Sequence, residues 1–336
     1  MKRIVGLAAL VVVLAGPWPV PARAATDHDP LDEARKAAEQ TPFSGSVTLQ
    51  WRDASVLREE HISVEGTHGT LLAQSHGQGS AMAVGTERLV YDPGNGWQEL
   101  WPSGLASAAR PNVEDAYDIR SVGTEQVAGY PTDVVEALKG GTVRERLDLE
   151  ANTKLLLRRS QYDARGTLQR SFTFDHINIG DQSMTPPTTP AAPRSDVPKT
   201  LALSKVPSSE REPSVLASGY KRLGAFTQGG VVQLVYSDGL YDLSLFQEEG
   251  ALDKSDLPAD RRTVRLSGHP AWAFSWPGGE GIVWTAGRTV YTLMGDVPPD
   301  ELATVAQSVP VHRSTSVAHR LRQACRELVE SFRGGL

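Results

Sequence analysis

From Phe43 onward the apolar residues of this chain fall on every second position. Val47, Leu49 and Trp51 alternate with Ser46, Thr48 and Gln50, the pattern of a strand with one face in a core and the other in water. Similar short runs follow at residues 56–65, 81–84, 88–91, 97–101, 132–138, 143–149, 154–164 and 167–179. Turn-forming clusters such as Asp92-Pro93-Gly94-Asn95-Gly96 and Gly140-Gly141 separate them. Helical signals are few here. Asp29-Pro30-Leu31-Asp32-Glu33 opens a helix with an aspartate cap, proline at the first helical position and acids in the first turn. Residues 112–118 suggest a second, short one. Many antiparallel strands with one or two helices predict an α+β chain built on a large curved sheet rather than a doubly wound one.

Residues 184–200 break the alternation with Pro186, Pro187, Pro190, Pro193 and Pro198 among Thr, Ala and Ser. Such a segment is a semi-rigid linker. Strand runs resume beyond it, followed by a helix opened by Pro298-Pro299-Asp300-Glu301. In this half, Ser237-Asp238-Gly239 lies between two apolar stretches and looks at first like a reactive site. A two-residue loop at Asp238-Gly239 pairs Ser237 with Leu240, Tyr236 with Tyr241, Leu234 with Leu243 and Val232 with Leu245. One face of that hairpin is then wholly apolar or aromatic and the other mixed. The triplet is therefore expected to be a turn.

The ends differ from the middle. Met1-Lys2-Arg3, an apolar run and Ala22-Arg23-Ala24 make a secretory leader over residues 1–24, too short for a membrane span. No cysteine follows the run to carry a lipid. Residues 313–336 form an amphipathic tail, with Val317, Leu321, Ala324, Cys325, Leu328 and Phe332 on one stripe and His319, Arg320, Arg322 and Arg326 in its basic part. Cys325, the one cysteine, has no internal partner; it reads as an apolar helix-face residue, with an intermolecular disulfide as the alternative. A net charge of −6 gives no attraction for nucleic acid. The expected location is outside the cytoplasmic membrane, in soluble form.

No Gly-x-Ser-x-Gly elbow, phosphate-cradling loop or metal-spaced histidine pair is present. His61, His68 and His76 are read as exposed, and no catalytic residue, metal or cofactor is expected. The aromatics of the first sheet, Trp51, Tyr91, Trp97, Trp101, Phe172 and Phe174, are either ordinary core or the lining of a pocket for an acyl chain.

Phe43-Ser44-Gly45, Leu155-Leu156-Leu157-Arg158-Arg159-Ser160-Gln161-Tyr162-Asp163 and Phe172-x-Phe174 resemble the MucB/RseB family. So do Gly219-Tyr220-x-Arg222, Leu234-Val235-Tyr236-Ser237-Asp238-Gly239-Leu240, Val283-Trp284, Val290-Tyr291 and Gly295-Asp296-Val297-Pro298. The tail from Ser314 is additional to that pattern. The resemblance implies a LolA-like unclosed β-barrel with helices over residues 25–183, a linker over 184–200 and a smaller β-rich domain with a helix over 201–312. It implies a periplasmic regulator of a sigma-E type factor. Such a regulator binds the extracytoplasmic segment of a membrane-spanning anti-sigma factor, shields it from proteolysis and is released by a lipidic signal. Exposed positions around the second hairpin, Gln233, Ser237, Asp238 and Asp242 with Trp284 and Tyr291, are the expected partner surface. The alternative is a periplasmic carrier of lipid or lipoprotein acyl chains.

Overall fold

The computed structural model describes residues 30–67, 70–75, 80–84, 87–92, 96–99, 111–180, 199–200, 213–228, 231–258 and 260–310. The leader, most of the linker, the tail with Cys325, and Trp101, His68 and His76 lie outside them.

Helix α1 (Pro30–Gln40) precedes eleven strands: β1 (Phe43–Asp53), β2 (Val56–Thr67), β3 (Thr70–Ser75), β4 (Ser80–Val84), β5 (Glu87–Asp92), β6 (Gly96–Glu99), β7 (Asp118–Val127), β8 (Tyr130–Lys139), β9 (Thr142–Glu150), β10 (Leu156–Tyr162) and β11 (Leu168–Ile179). They form one antiparallel sheet in the order β6-β5-β4-β3-β2-β1-β11-β10-β9-β8-β7. Among the described residues no pairing joins β6 to β7, so the sheet is unclosed. β3 and β7 were not evident in the sequence. The short helix expected at 112–118 is a single 3-10 turn, Val113–Asp115, capped by Asn112.

A bulge keeps the first sheet's inner face apolar. Ser46 pairs with His176 but Val47 pairs with Phe174, which leaves Asp175 as the extra residue. That skipped position lets Ile177, Phe174 and Phe172 all point inward although their spacing is uneven. Phe174 meets Phe43 and Phe172 edge-on at 5.8 and 6.4 Å between centroids. The Phe43 ring also occupies the place where a Cβ on Gly66 would stand. Helix α1 lays Leu31, Ala34 and Ala37 onto this core, against β2 and β10. Three apolar residues at intervals of three are enough for so short a helix, which owes its stability to that packing.

The second sheet contains β12 (Lys199–Thr200), β13 (Lys221–Gln228), β14 (Val231–Ser237), β15 (Asp242–Glu249), β16 (Arg262–Leu266), β17 (His269–Trp276), β18 (Gly279–Ala286) and β19 (Thr289–Gly295). Its order is β12-β13-β14-β15-β19-β18-β17-β16. Two residues expected in the linker, Lys199 and Thr200, thus belong to the sheet through Thr227 and Phe226. Helix α2 (Pro299–Ser308) buries Leu302, Val305 and Ala306 against β18 and β19. Pro299 sits where a missing N–H costs nothing, and Asp300 and Glu301 occupy the first turn, where the helix dipole favours acids.

The β14–β15 hairpin corrects the expected register. Ser237 pairs with Asp242, Tyr236 with Leu243, Leu234 with Leu245 and Val232 with Gln247. The loop is therefore four residues, Asp238 to Tyr241, rather than two. The shift is even, so every side chain keeps the face assigned to it. The longer loop wins because the Asp238 carboxylate accepts N–H bonds from Leu240 and Tyr241 at 3.1 and 2.9 Å, a turn closed by a side chain rather than by strand pairing.

Candidate functional site: the charged seam between the sheets

Directly paired residues of adjacent strands share a face, and two rows of the first sheet show where its inner face changes character. Leu49, Phe172, Arg159 and Leu147 stand side by side on β1, β11, β10 and β9. One row further on, Trp51, Arg170, Gln161 and Glu145 stand side by side on the same strands. Apolar core thus gives way to charge at one end of the inner face. A bulge between Ala137 and Leu138 makes Arg144 an extra residue on β9, and both Arg144 and Glu145 are buried. Lys139 ends β8 beside it. The second sheet covers this end.

Four cations of the first sheet, Lys139, Arg144, Arg159 and Arg170, each meet an acid from the second half of the chain. Lys139 Nζ lies 2.5 Å from Glu301 Oε1 and 3.4 Å from Asp238 Oδ2, and it donates to Ser218 O at 3.2 Å. It also sits 5.1 Å from the Tyr117 ring centroid and 5.8 Å from that of Tyr220. Arg144 reaches Glu301 Oε2 at 3.1 Å and Asp300 at 3.4 Å. Arg159 holds Glu145 with two bonds, at 2.8 and 3.0 Å, and approaches Asp296 at 3.5 Å. Arg170 donates to Gln161 Oε1 at 2.5 Å and to Val297 O at 3.1 Å, and pairs with Glu280 at 3.3 Å. Backbone groups cross as well: Ala164 N donates to Asp300 Oδ2 at 3.0 Å, and Tyr241 OH to Arg144 O at 3.3 Å.

The Ser237-Asp238-Gly239 turn is pressed into this seam. Asp238 spends Oδ1 on its own loop and turns Oδ2 toward the first sheet, where Tyr117 OH donates to it at 2.6 Å. Gly239 has φ +99°, and a Cβ there would stand 2.9 Å from Pro111 O and from the Val113 backbone. Only glycine gives both that backbone angle and that close approach.

Burial sets the protonation of two acids. Desolvation pushes Asp238 up to about 6, against the attraction of Lys139 and the bonds from Tyr117 and Tyr241, while Glu301 adds to the rise. Desolvation also pushes Glu280 up to about 7, opposed by Arg170, the Ser275 hydroxyl and Arg262 and aided by Asp53. Burial drives the Tyr117, Tyr220 and Tyr241 hydroxyls well above their ordinary value, so they stay protonated and none is a base. Ion pairs this deep cost much of their Coulomb gain in desolvation. Their effect is to fix how the two sheets face each other, since any other juxtaposition leaves charges buried alone.

The expected partner surface is not a surface. Gln233, Ser237, Asp238, Asp242, Trp284 and Tyr291 are all less than 9% exposed. β14 and β15 are interior strands covered on both faces, Gln233 donates to Ser244 at 3.0 Å, and Trp284 stacks on Tyr291 at 5.2 Å. Of the expected cavity aromatics, Phe172 and Phe174 are core residues packed with Phe43. Trp51 is half-buried beside Arg170, at the end of β1 that approaches β17. Tyr91 and Trp97 are paired in register between β5 and β6. Sequence reasoning missed Lys139, Arg144, Arg159, Arg170 and the acids at the start of α2. One signal was available: Arg159 shares strand parity with Leu157 and Gln161, so one arginine of the Arg158-Arg159 pair had to point inward.

Residues 29–201 match the family of the MucB/RseB N-terminal domain. No curated protein matches the chain. Among solved structures, the MucA/MucB complex of Pseudomonas aeruginosa aligns at 21% identity with a TM-score of 0.52, covering 85% of this chain and 99% of that one. A structure of MucB in complex with MucA(peri) aligns at 20% identity with a TM-score of 0.49, over 85% and 99%. At such identities the likeness is one of fold.

Proposed function

Because the chain belongs to the MucB/RseB family, we propose that it is a regulatory binding protein. Its partner is the extracytoplasmic segment of a membrane anti-sigma factor, which it shields from proteolysis until a lipidic signal releases it. The observation that carries this reading is the shared architecture: both sheets together, not the first alone, align with a MucB solved with MucA. A carrier of acyl chains needs an apolar cavity, and Phe172 and Phe174, two residues assigned to one, are closed into the core. That favours the regulator. The chain acts by binding and holds no catalytic role in this proposal. It works outside the cytoplasmic membrane, and among the described residues no helix is long and apolar enough to cross one.

The test is a calorimetric titration of the mature protein with the extracytoplasmic segment of the anti-sigma factor encoded beside it. Saturable binding at micromolar concentration or tighter is expected, with anionic lipid then competing. No heat and no co-elution at high concentration would return the weight to the carrier, to be checked by extracting bound lipid.

A further inference from the structure

We infer that the seam between the two sheets is a proton-operated latch, with Asp238 at one end and Glu280 at the other, closed in mild acid and loosened as the pH rises through neutrality. The inference does not depend on the identity of the partner.

Three observations carry it. Buried ion pairs cross the seam beside apolar contacts such as Tyr117 against Tyr241, so part of its strength depends on charge state. Each of the two acids is enclosed by groups from both sheets. Around Asp238 stand Lys139 and Tyr117 from the first sheet's side and Tyr220, Tyr241 and Glu301 from the second. Around Glu280 stand Arg170 of β11 and Asp53 of β1 from the first, and Arg262 of β16 and Ser275 of β17 from the second. Separating the sheets therefore rehydrates both carboxyls and returns them toward ordinary values. Finally, the cations do not fully compensate the burial. Arg170 Nε and Arg262 Nε are buried with no hydrogen-bond acceptor, so the two guanidinium groups that face Glu280 are aimed imperfectly.

The sign follows from linkage. Both acids hold their protons more tightly with the seam closed than with it open, so closing takes up protons. The stabilisation is complete below the open-state values, 3.8 for Asp238 and 4.5 for Glu280. It is lost as the pH passes the closed-state values, about 6 and about 7. Between pH 5 and pH 7.5 the closing constant falls roughly ten-fold through Asp238 and roughly fifty-fold through Glu280.

The experiment uses the mature chain with Cys325→Ser and a dye pair on cysteines placed at Thr124 of β7 and Thr285 of β18, both exposed. Inter-dye distance is followed from pH 5 to pH 8 alongside amide exchange at Ala164, whose N–H crosses the seam to Asp300. Exchange rates are corrected for their intrinsic pH dependence. The expected result is rising distance or falling Ala164 protection across pH 6–7.5, by more than ten-fold in protection. Glu280→Gln and Asp238→Asn, which keep shape and remove the titration, each flatten part of the profile. A flat wild-type profile overturns the latch even if a variant fails to fold, and so does an unaltered profile in the folded double variant.

Discussion

Lys139→Met tests whether the seam is held by charge. The methionine keeps the length of the stem and removes the ammonium that lies 2.5 Å from Glu301 and 3.4 Å from Asp238, two acids whose side chains are 5% and 0% exposed. Breaking a buried pair by removing one partner costs about 3–5 kcal/mol, because the other charge stays buried. Compensation remains here. Arg144 still reaches Glu301 at 3.1 Å, and Tyr117 and two backbone N–H groups still reach Asp238. The net loss should therefore be about 2–4 kcal/mol. In thermal melting at neutral pH that is a fall of about 3–6 °C for a chain of this size. If the seam opens before either sheet unfolds, the loss appears as a separate early transition. A double-mutant cycle with Asp238→Asn isolates the pair and should show coupling of about 1 kcal/mol or more. A loss below about 1 kcal/mol, or additive effects in the cycle, would falsify the account of the seam as an electrostatic join.

Gly239→Ala should cost about 1–3 kcal/mol in backbone strain and contact with Pro111 and Val113, and should lower Ala164 exchange protection because the clash lies in the seam. Tyr117→Phe, which removes the 2.6 Å bond to Asp238, should cost about 1.5–3 kcal/mol in chemical denaturation. Phe174→Ala should cost about 3–5 kcal/mol without changing the pH dependence of the seam, since its contacts are apolar and within the first sheet. Burial works against ionisation of Glu150, but bonds from Thr153 and Asn152 outweigh it and hold the carboxyl below its usual range. Glu150→Gln should therefore lower stability at pH 7. The difference should vanish as the pH falls through the folded value, measured by melting across the acid range.

The sequence by itself determined the kind of structure. Period-two alternation with turn clusters between the runs imposes antiparallel strands, and the acids and prolines before Leu302 impose a helix start, because both patterns act over a few residues. Local physics also assigned the Asp238-Gly239 region to a turn and put Val232, Leu234 and Tyr236 on one face. It could not choose between a two-residue and a four-residue loop, since that choice depended on which groups the Asp238 carboxylate would bond.

What only the tertiary structure decided is where charge goes. Arg159 and Arg170 sit on strands whose neighbours are core residues, and nothing within a dozen positions says that an acid will meet them. Glu145 lies across the β9–β10 hairpin from Arg159, but the partners on the other side of the seam, Asp296 and Glu280, lie more than a hundred residues away. For the same reason Trp284 and Tyr291 were expected at a surface: whether a strand is covered on one face or two is settled by the strands and sheets packed around it. Periodicity is written in the chain, whereas a buried ion pair exists only once two distant segments have excluded water together.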